Sequence, residues 1–306
     1  MKSWTVSPER YTKISIFALI LLCVIVVTGA AVRLTGSGLG CEDWPRCNSE
    51  RVIDVSSTHG AIEQVNRLFT GLVAAGVILA VLAARRRRPY RADLSRLAWG
   101  LVAGVIGQVV LGGIVVLTDL HPLANQGHFV LSMILVSNAT VLVLRSRERG
   151  FTQAVDRLTR RVGRSMVIVG VVAILTGTIV TGSGPHAGDE NARRFDLDIS
   201  SIARLHGASV IASLILLVAT IVVARRVKVS WRRMSNLLEG IMAVGLLQGV
   251  VGYVQYFNDI PAGLVAVHIA GATAFMIVLT ALWWNLSESS TGSAHTVNDR
   301  RVTVSS

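Results

Sequence analysis

Charge is what this chain has least of. Only 16% of its 306 residues are Asp, Glu, Lys or Arg, while 52% are hydrophobic. A soluble domain with so little charge to solvate its surface would be unusual. Cysteine is scarce as well, with three residues in the chain. A zinc site at Cys41 and Cys47 would need two more thiol or imidazole ligands, and only His59 is close. There is no pair of aspartates of the kind that holds a magnesium diphosphate, which argues against prenyl transfer. The first apolar run lacks a small-residue cleavage site and is too long for a removable signal peptide, so it is expected to stay as a helix.

What the chain has in their place is long apolar runs. Eight of them, at roughly 14–34, 63–84, 96–117, 126–144, 165–182, 202–224, 236–257 and 262–284, are long enough as helices to cross about 30 Å of hydrocarbon. The fold class expected is an all-α integral membrane protein, its eight transmembrane helices arranged as two pseudo-symmetric four-helix bundles. The formal charge of +12 does not point to nucleic acid, because 23 of the 30 Lys and Arg fall at the N-terminus, in three alternate loops and in the tail. That asymmetry places both termini in the cytoplasm, with lipid around the helices. The tail 286–306 is polar and expected to be disordered, with His295 idle within it. Cys41 and Cys47, in the outward loop GCEDWPRCN, are expected to form a disulfide. Cys23, inside the first span, is expected to be a packing residue.

The chain repeats itself at an offset of 140 residues. His128 matches His268, Gln108 matches Gln248, Asp119 matches Asp259, and Asn66 matches His206. Each copy opens on a helix ending in TG…TGSG, and the third helix of each carries Gln-x-x-x-Gly, at Gln108/Gly112 and Gln248/Gly252. Residues 1–150 and 151–285 are therefore read as two units of four helices, parallel repeats about an axis along the membrane normal. A second register competes locally: HGA at 59–61 matches HGA at 206–208 with an offset of 147.

Topology places Asn66, His128, His206 and His268 in the outer half of the bilayer, on the second and fourth helices of their copies. A lone histidine in a membrane helix often only hydrogen-bonds a neighbouring helix. Paired histidines at one depth are a common axial set for haem, and His206 with His268 is read that way. Glu63 has Ala203 as its repeat partner, so an acid is kept in one copy only. It is either paired with Arg67 at i+4 or used for chemistry. His59, Glu63 and Asn66 share a helix face if that helix reaches back to residue 58. His121 and His186, in outward loops beside Pro122 and Pro185, are read as surface residues or as partners of a propionate.

In combination these features resemble the haem A synthase family. The carriers are the two four-helix copies, the cysteine pair, IExxNR opening span 2, HFVLS opening span 4, RLHG in span 6, VHIAGA in span 8, and the turns TGSGLGCEDWP and TGSGPHAGD. They cover nearly everything but the tail. The resemblance implies a cell-membrane oxidoreductase that takes the ring methyl at position 8 of haem O, through an alcohol, to the formyl group of haem A for cytochrome c oxidase. It implies Glu63 as the essential acid, and His206 and His268 as ligands of a resident haem b. It further implies His128 as a ligand in the first copy, where substrate haem O acts, and Cys41–Cys47 as the loop disulfide. The farnesyltransferase that makes haem O and the assembly of cytochrome c oxidase are the partners it brings with it, and no electron donor is indicated. The family pattern has a second histidine where this chain has Asn66, so the first site is left open on that face or closed weakly by Asn66 or His59. Other readings of the same residues are a b-type cytochrome that only relays electrons, which would not need Glu63, and a parallel-repeat transporter.

Overall fold

The computed structural model describes residues 4–147 and 155–287. Its described residues form eight α-helices: α1 (Pro8–Leu34), α2 (Thr58–Arg86), α3 (Ala92–Leu117), α4 (Pro122–Ser146), α5 (Arg157–Ser183), α6 (Ile199–Arg226), α7 (Lys228–Phe257) and α8 (Ala262–Ser287). Each is long and apolar enough to cross a membrane. The boundary expected near 150 lies outside the described residues, as do the tail beyond 287 and His295.

The first seven helices begin earlier than their apolar runs, and five of them carry start signals that hydropathy does not register. The side chains of Ser7, Ser57, Asp156 and Asp198 accept backbone N–H groups at the starts of α1, α2, α5 and α6, while Pro8 and Pro122 occupy the first turns of α1 and α4. The basic stretch after α6, expected as a loop, is helical on both sides of the single residue Val227.

Large apolar side chains such as Ile20, Leu82, Ile106, Ile134, Ile168, Ile215 and Val250 lie exposed along the helices. Such surfaces are unfavourable in water and natural against lipid. The buried apolar residues gather in two main clusters. One runs through α1–α4 and includes Leu22, Val77, Leu101 and Val136. The other runs through α5–α8 and includes Met166, Leu217, Leu238 and Leu279. Within the first set α1 packs on α2 and α4, and α3 on α2 and α4; the second set repeats this pattern, and α8 also meets α1 and α4.

Hydrogen bonds identify the two ends of the molecule. At the basic end, Val6 exchanges backbone bonds with Arg86 and Arg88, and the Thr12 hydroxyl donates to the Ser146 carbonyl. At the other end the connections close over one another: Gly38 N–H donates to the Gly188 carbonyl, and His186 Nε2 lies 2.8 Å from the Ile260 carbonyl. The turns α3–α4 and α7–α8 share one unusual conformation, with Asp119, Leu120, Asp259 and Ile260 all at φ between 51 and 59°. Two consecutive left-handed residues without glycine are costly, and their recurrence at the same offset makes the repeat visible in the backbone.

Candidate functional site

In the second copy the structure brings His206 and His268 together. His206, on α6, has Nδ1 3.0 Å from the Ala173 carbonyl and 3.3 Å from the Thr176 hydroxyl, both on α5. A carbonyl only accepts, so Nδ1 carries the proton and Nε2 keeps its lone pair for a metal. The ring lies against Gly177, where an added Cβ would sit 3.1 Å from His206 Cε1. His268, on α8, rests in the same way on Gly252, 3.3 Å from an added Cβ, and its Nδ1 is buried without a partner. The two ring centroids are 6.3 Å apart, with planes at 86°. An iron bonded to two opposed imidazoles at about 2 Å, each ring centre about 1.1 Å behind its nitrogen, would separate the centroids by about 6 Å. The donor set and its spacing fit a bis-histidine haem.

The first copy has the same scaffold with different residues on it. His128, on α4, lies over Gly112 of α3, with 3.5 Å from an added Cβ to its Cε1. Its Nδ1 is likewise buried without a partner. Gln108 Nε2 donates to the His128 carbonyl at 3.1 Å and to the Ser132 hydroxyl at 2.7 Å. Asn66, on α2, accepts a 2.9 Å hydrogen bond from Thr28 of α1. Thr28 precedes Gly29 just as Thr176 precedes Gly177, so the Thr28–Asn66 contact is the counterpart of Thr176–His206. This shared contact favours Asn66 over His59 as the counterpart of His206. His59 lies about two turns away, exposed at the start of α2, with Nδ1 2.9 Å from the Ser37 hydroxyl. All of Asn66, His128, His206 and His268 sit about two turns into their helices, deeper than the apolar runs implied for Asn66, His128 and His206, because α2, α4 and α6 start earlier.

Glu63 is buried, with 6% of its surface exposed. Arg67 Nε and Nη2 donate to Oε1 at 2.9 and 2.6 Å, and the Cys41 amide donates to Oε2 at 2.8 Å. The i+4 pairing with Arg67, one of the two readings of this acid, is therefore formed, and the carboxylate has a further partner from outside its helix. Arg67 also donates to the carbonyls of Arg46 and Asp43 and stacks on Trp44, 5.3 Å from the ring centre. Trp44 in turn packs on Gly113, beside the glycine that carries His128. Cys41 and Cys47 form a buried disulfide in this loop. Cys23 is a free, half-buried thiol. Of the two loop histidines, His121 caps α4 by accepting the Leu123 N–H, and His186 Nε2 lies 2.8 Å from the Ile260 carbonyl.

A glutamate held over one copy and a histidine pair closed in the other are the setting for comparison with known proteins. The profile of the cytochrome oxidase assembly protein family (COX15-CtaA) matches residues 12–59 and 52–187. The chain belongs to this family. Among curated relatives, a protein named heme A synthase from Geobacillus thermodenitrificans is 30% identical over 146 residues, 45% of each chain. One of the same name from Listeria welshimeri is 31% identical over 140 residues, 44% of this chain and 46% of the relative. Another, from Lysinibacillus sphaericus, is 30% identical over 142 residues, 44% of each. The chain thus matches just under half the length of these relatives.

Among the contacts not foreseen from the sequence are Thr28 with Asn66, Ala173 with His206, and a 2.7 Å hydrogen bond from Gln126 to Thr178, which joins the helix of His128 to α5, the helix on which His206 rests. The paired Thr-Gly steps in α1 and α5 carried the signal for the first. The other two follow from packing alone.

Proposed function

We propose that this protein is a haem A synthase, oxidising the position-8 methyl of haem O through an alcohol to a formyl group for cytochrome c oxidase. The observation that carries the reading is the asymmetry on one scaffold: threonine supports a histidine, paired with a second, in one copy, and an asparagine in the other.

The two copies, residues 1–150 and 151–285, are proposed as two four-helix bundles with separate tasks. In the second, His206 and His268 hold a resident haem b. Such a group would supply one-electron transfer. Ala173 and Thr176 fix the His206 ring, and Gly177 and Gly252 leave room for the two imidazoles. In the first copy, His128 holds the substrate haem O on one face, and Asn66, turned to Thr28, leaves the other face open for a monooxygenase-type reaction. Glu63 handles the protons of that oxidation, oriented by Arg67 and the Cys41 amide. The loop carrying Cys41 and Trp44 excludes water over the site. The basic end faces the cytoplasm and the haem sites lie toward the outer face of the cell membrane. The substrate arrives from the farnesyltransferase that makes haem O.

The test is chromatography of haems extracted from cells that coexpress the chain with a haem O source. Haem A is expected from the unmodified protein. Glu63→Gln is expected to give none, while haem b is retained in both. Absence of haem A from the unmodified chain overturns the reading, and normal output from Glu63→Gln removes the proton role alone.

A further inference from the structure

Arg33 is an arginine near the outer end of a transmembrane helix, in one copy only: in the register that pairs Thr28 with Thr176, its counterpart is Thr181. Such a residue is expensive in lipid unless it is paired or used. No carboxylate pairs with it among the described residues. Its Nη2 donates 2.7 Å to the Thr181 carbonyl, across the boundary between the copies, and its Nε is buried without a partner. A second guanidinium lies over the same stretch of chain. Arg194 donates from Nε to the Gly184 carbonyl and from Nη2 to the Pro185 carbonyl, both at 3.0 Å. Two cations therefore converge on residues 181–185, roofed by the loop at Gly188, whose added Cβ would touch Arg33. Carbonyl oxygens at a helix C-terminus attract cations but do not neutralise them.

The position of the pair indicates what anion it takes. Thr181 lies one turn beyond Gly177, about 6 Å further out along α5. Gly177 is the residue against which the His206 ring rests. A haem between His206 and His268 has two carboxylate arms on one edge, and these must leave the apolar bundle on the side where charge can be met.

We propose that Arg33, reaching over from the first copy, binds with Arg194 an anionic oxygen group, the propionate of the haem held by the second copy. Arg33 is thus a cofactor-binding residue that ties the first copy to the electron-transfer group of the second. Bidentate geometry suits guanidinium to a carboxylate, and the same chemistry would accept a lipid phosphate. The inference rests on the haem b site proposed above.

The experiment is redox titration of the b-type haem in purified protein, together with its rate of loss to apomyoglobin, for the unmodified chain, Arg33→Lys, Arg33→Gln and Arg33→Met. A nearby cation favours the reduced haem, which carries one less positive charge. Arg33→Gln keeps a polar N–H group on a shorter side chain without the charge, so it stays informative if Arg33→Met fails to fold. Both neutral variants are expected to lower the midpoint potential and speed haem loss several-fold, and Arg33→Lys to stay near the unmodified protein. Unchanged potential and loss rate in Arg33→Gln overturn the inference, and so does loss of copurified phospholipid with the haem unaffected. A purified unmodified protein with no haem at all would instead overturn the haem b site itself.

Discussion

Both oxygens of the Glu63 carboxylate are held, one by the Arg67 guanidinium and the other by the Cys41 amide. A buried carboxylate costs several kcal/mol to ionise without such donors, and these two come from different segments, so the loop and the helix must be assembled together. Asn66 is the complementary case. Its side-chain oxygen is occupied by Thr28, in the place where Thr176 meets an imidazole in the other copy. Replacing Asn66 with histidine puts that imidazole back on the same scaffold. Asn66→His is expected to shift the substrate haem of the first copy toward a low-spin spectrum and to reduce haem A output at least tenfold. An unchanged spin state would mean that position 66 does not face the iron.

At the scale of helices, glycine decides how closely an imidazole can approach the helix beside it. An added Cβ at Gly177 meets His206 at 3.1 Å, whereas at Gly112 it meets His128 at an ordinary 3.5 Å. Gly177→Val is expected to displace His206 and remove most of the haem b absorbance, while Gly112→Ala keeps its haem; equal spectra for the two would contradict this account of the site. Helix starts obey a different chemistry. Asp198 caps α6, and hydrogen bonds from Ser201 and Ser200 hold its carboxyl well below the usual carboxylate range. A lowered folded pKa stabilises above the unfolded value, about 3.9, and that contribution is lost as pH falls through the folded value. Asp198→Ala is therefore expected to lower Tm at pH 7, and the gap to the unmodified protein should close only as the pH drops well below about 4. A gap already closed at pH 5, or one undiminished at pH 3, would contradict this.

For the whole molecule, the eight spans and the cysteine pair were legible because apolar length and loop position are local properties. So was the repeat at an offset of 140, since His128 and His268 each rest on the glycine of the matching Gln-x-x-x-Gly step. The helix starts were not read from hydropathy, although Ser57 and Asp156 are ordinary caps in the sequence. The choice between the two registers at His59 and Asn66 needed Thr28, which lies on another helix. Arg33 was illegible for the same reason: only folding brings it to Thr181 and near Arg194. The account's central claim is that the copies hold unequal sites, one closed by two histidines and one held by His128 alone. It is tested most directly by the optical and spin-state spectrum of purified protein supplied with haem O, with the extracted haems identified by chromatography. The prediction is a low-spin haem b together with a separate high-spin population from the haem in the first copy. Two wholly low-spin sites, or a protein without Soret absorbance, would contradict it.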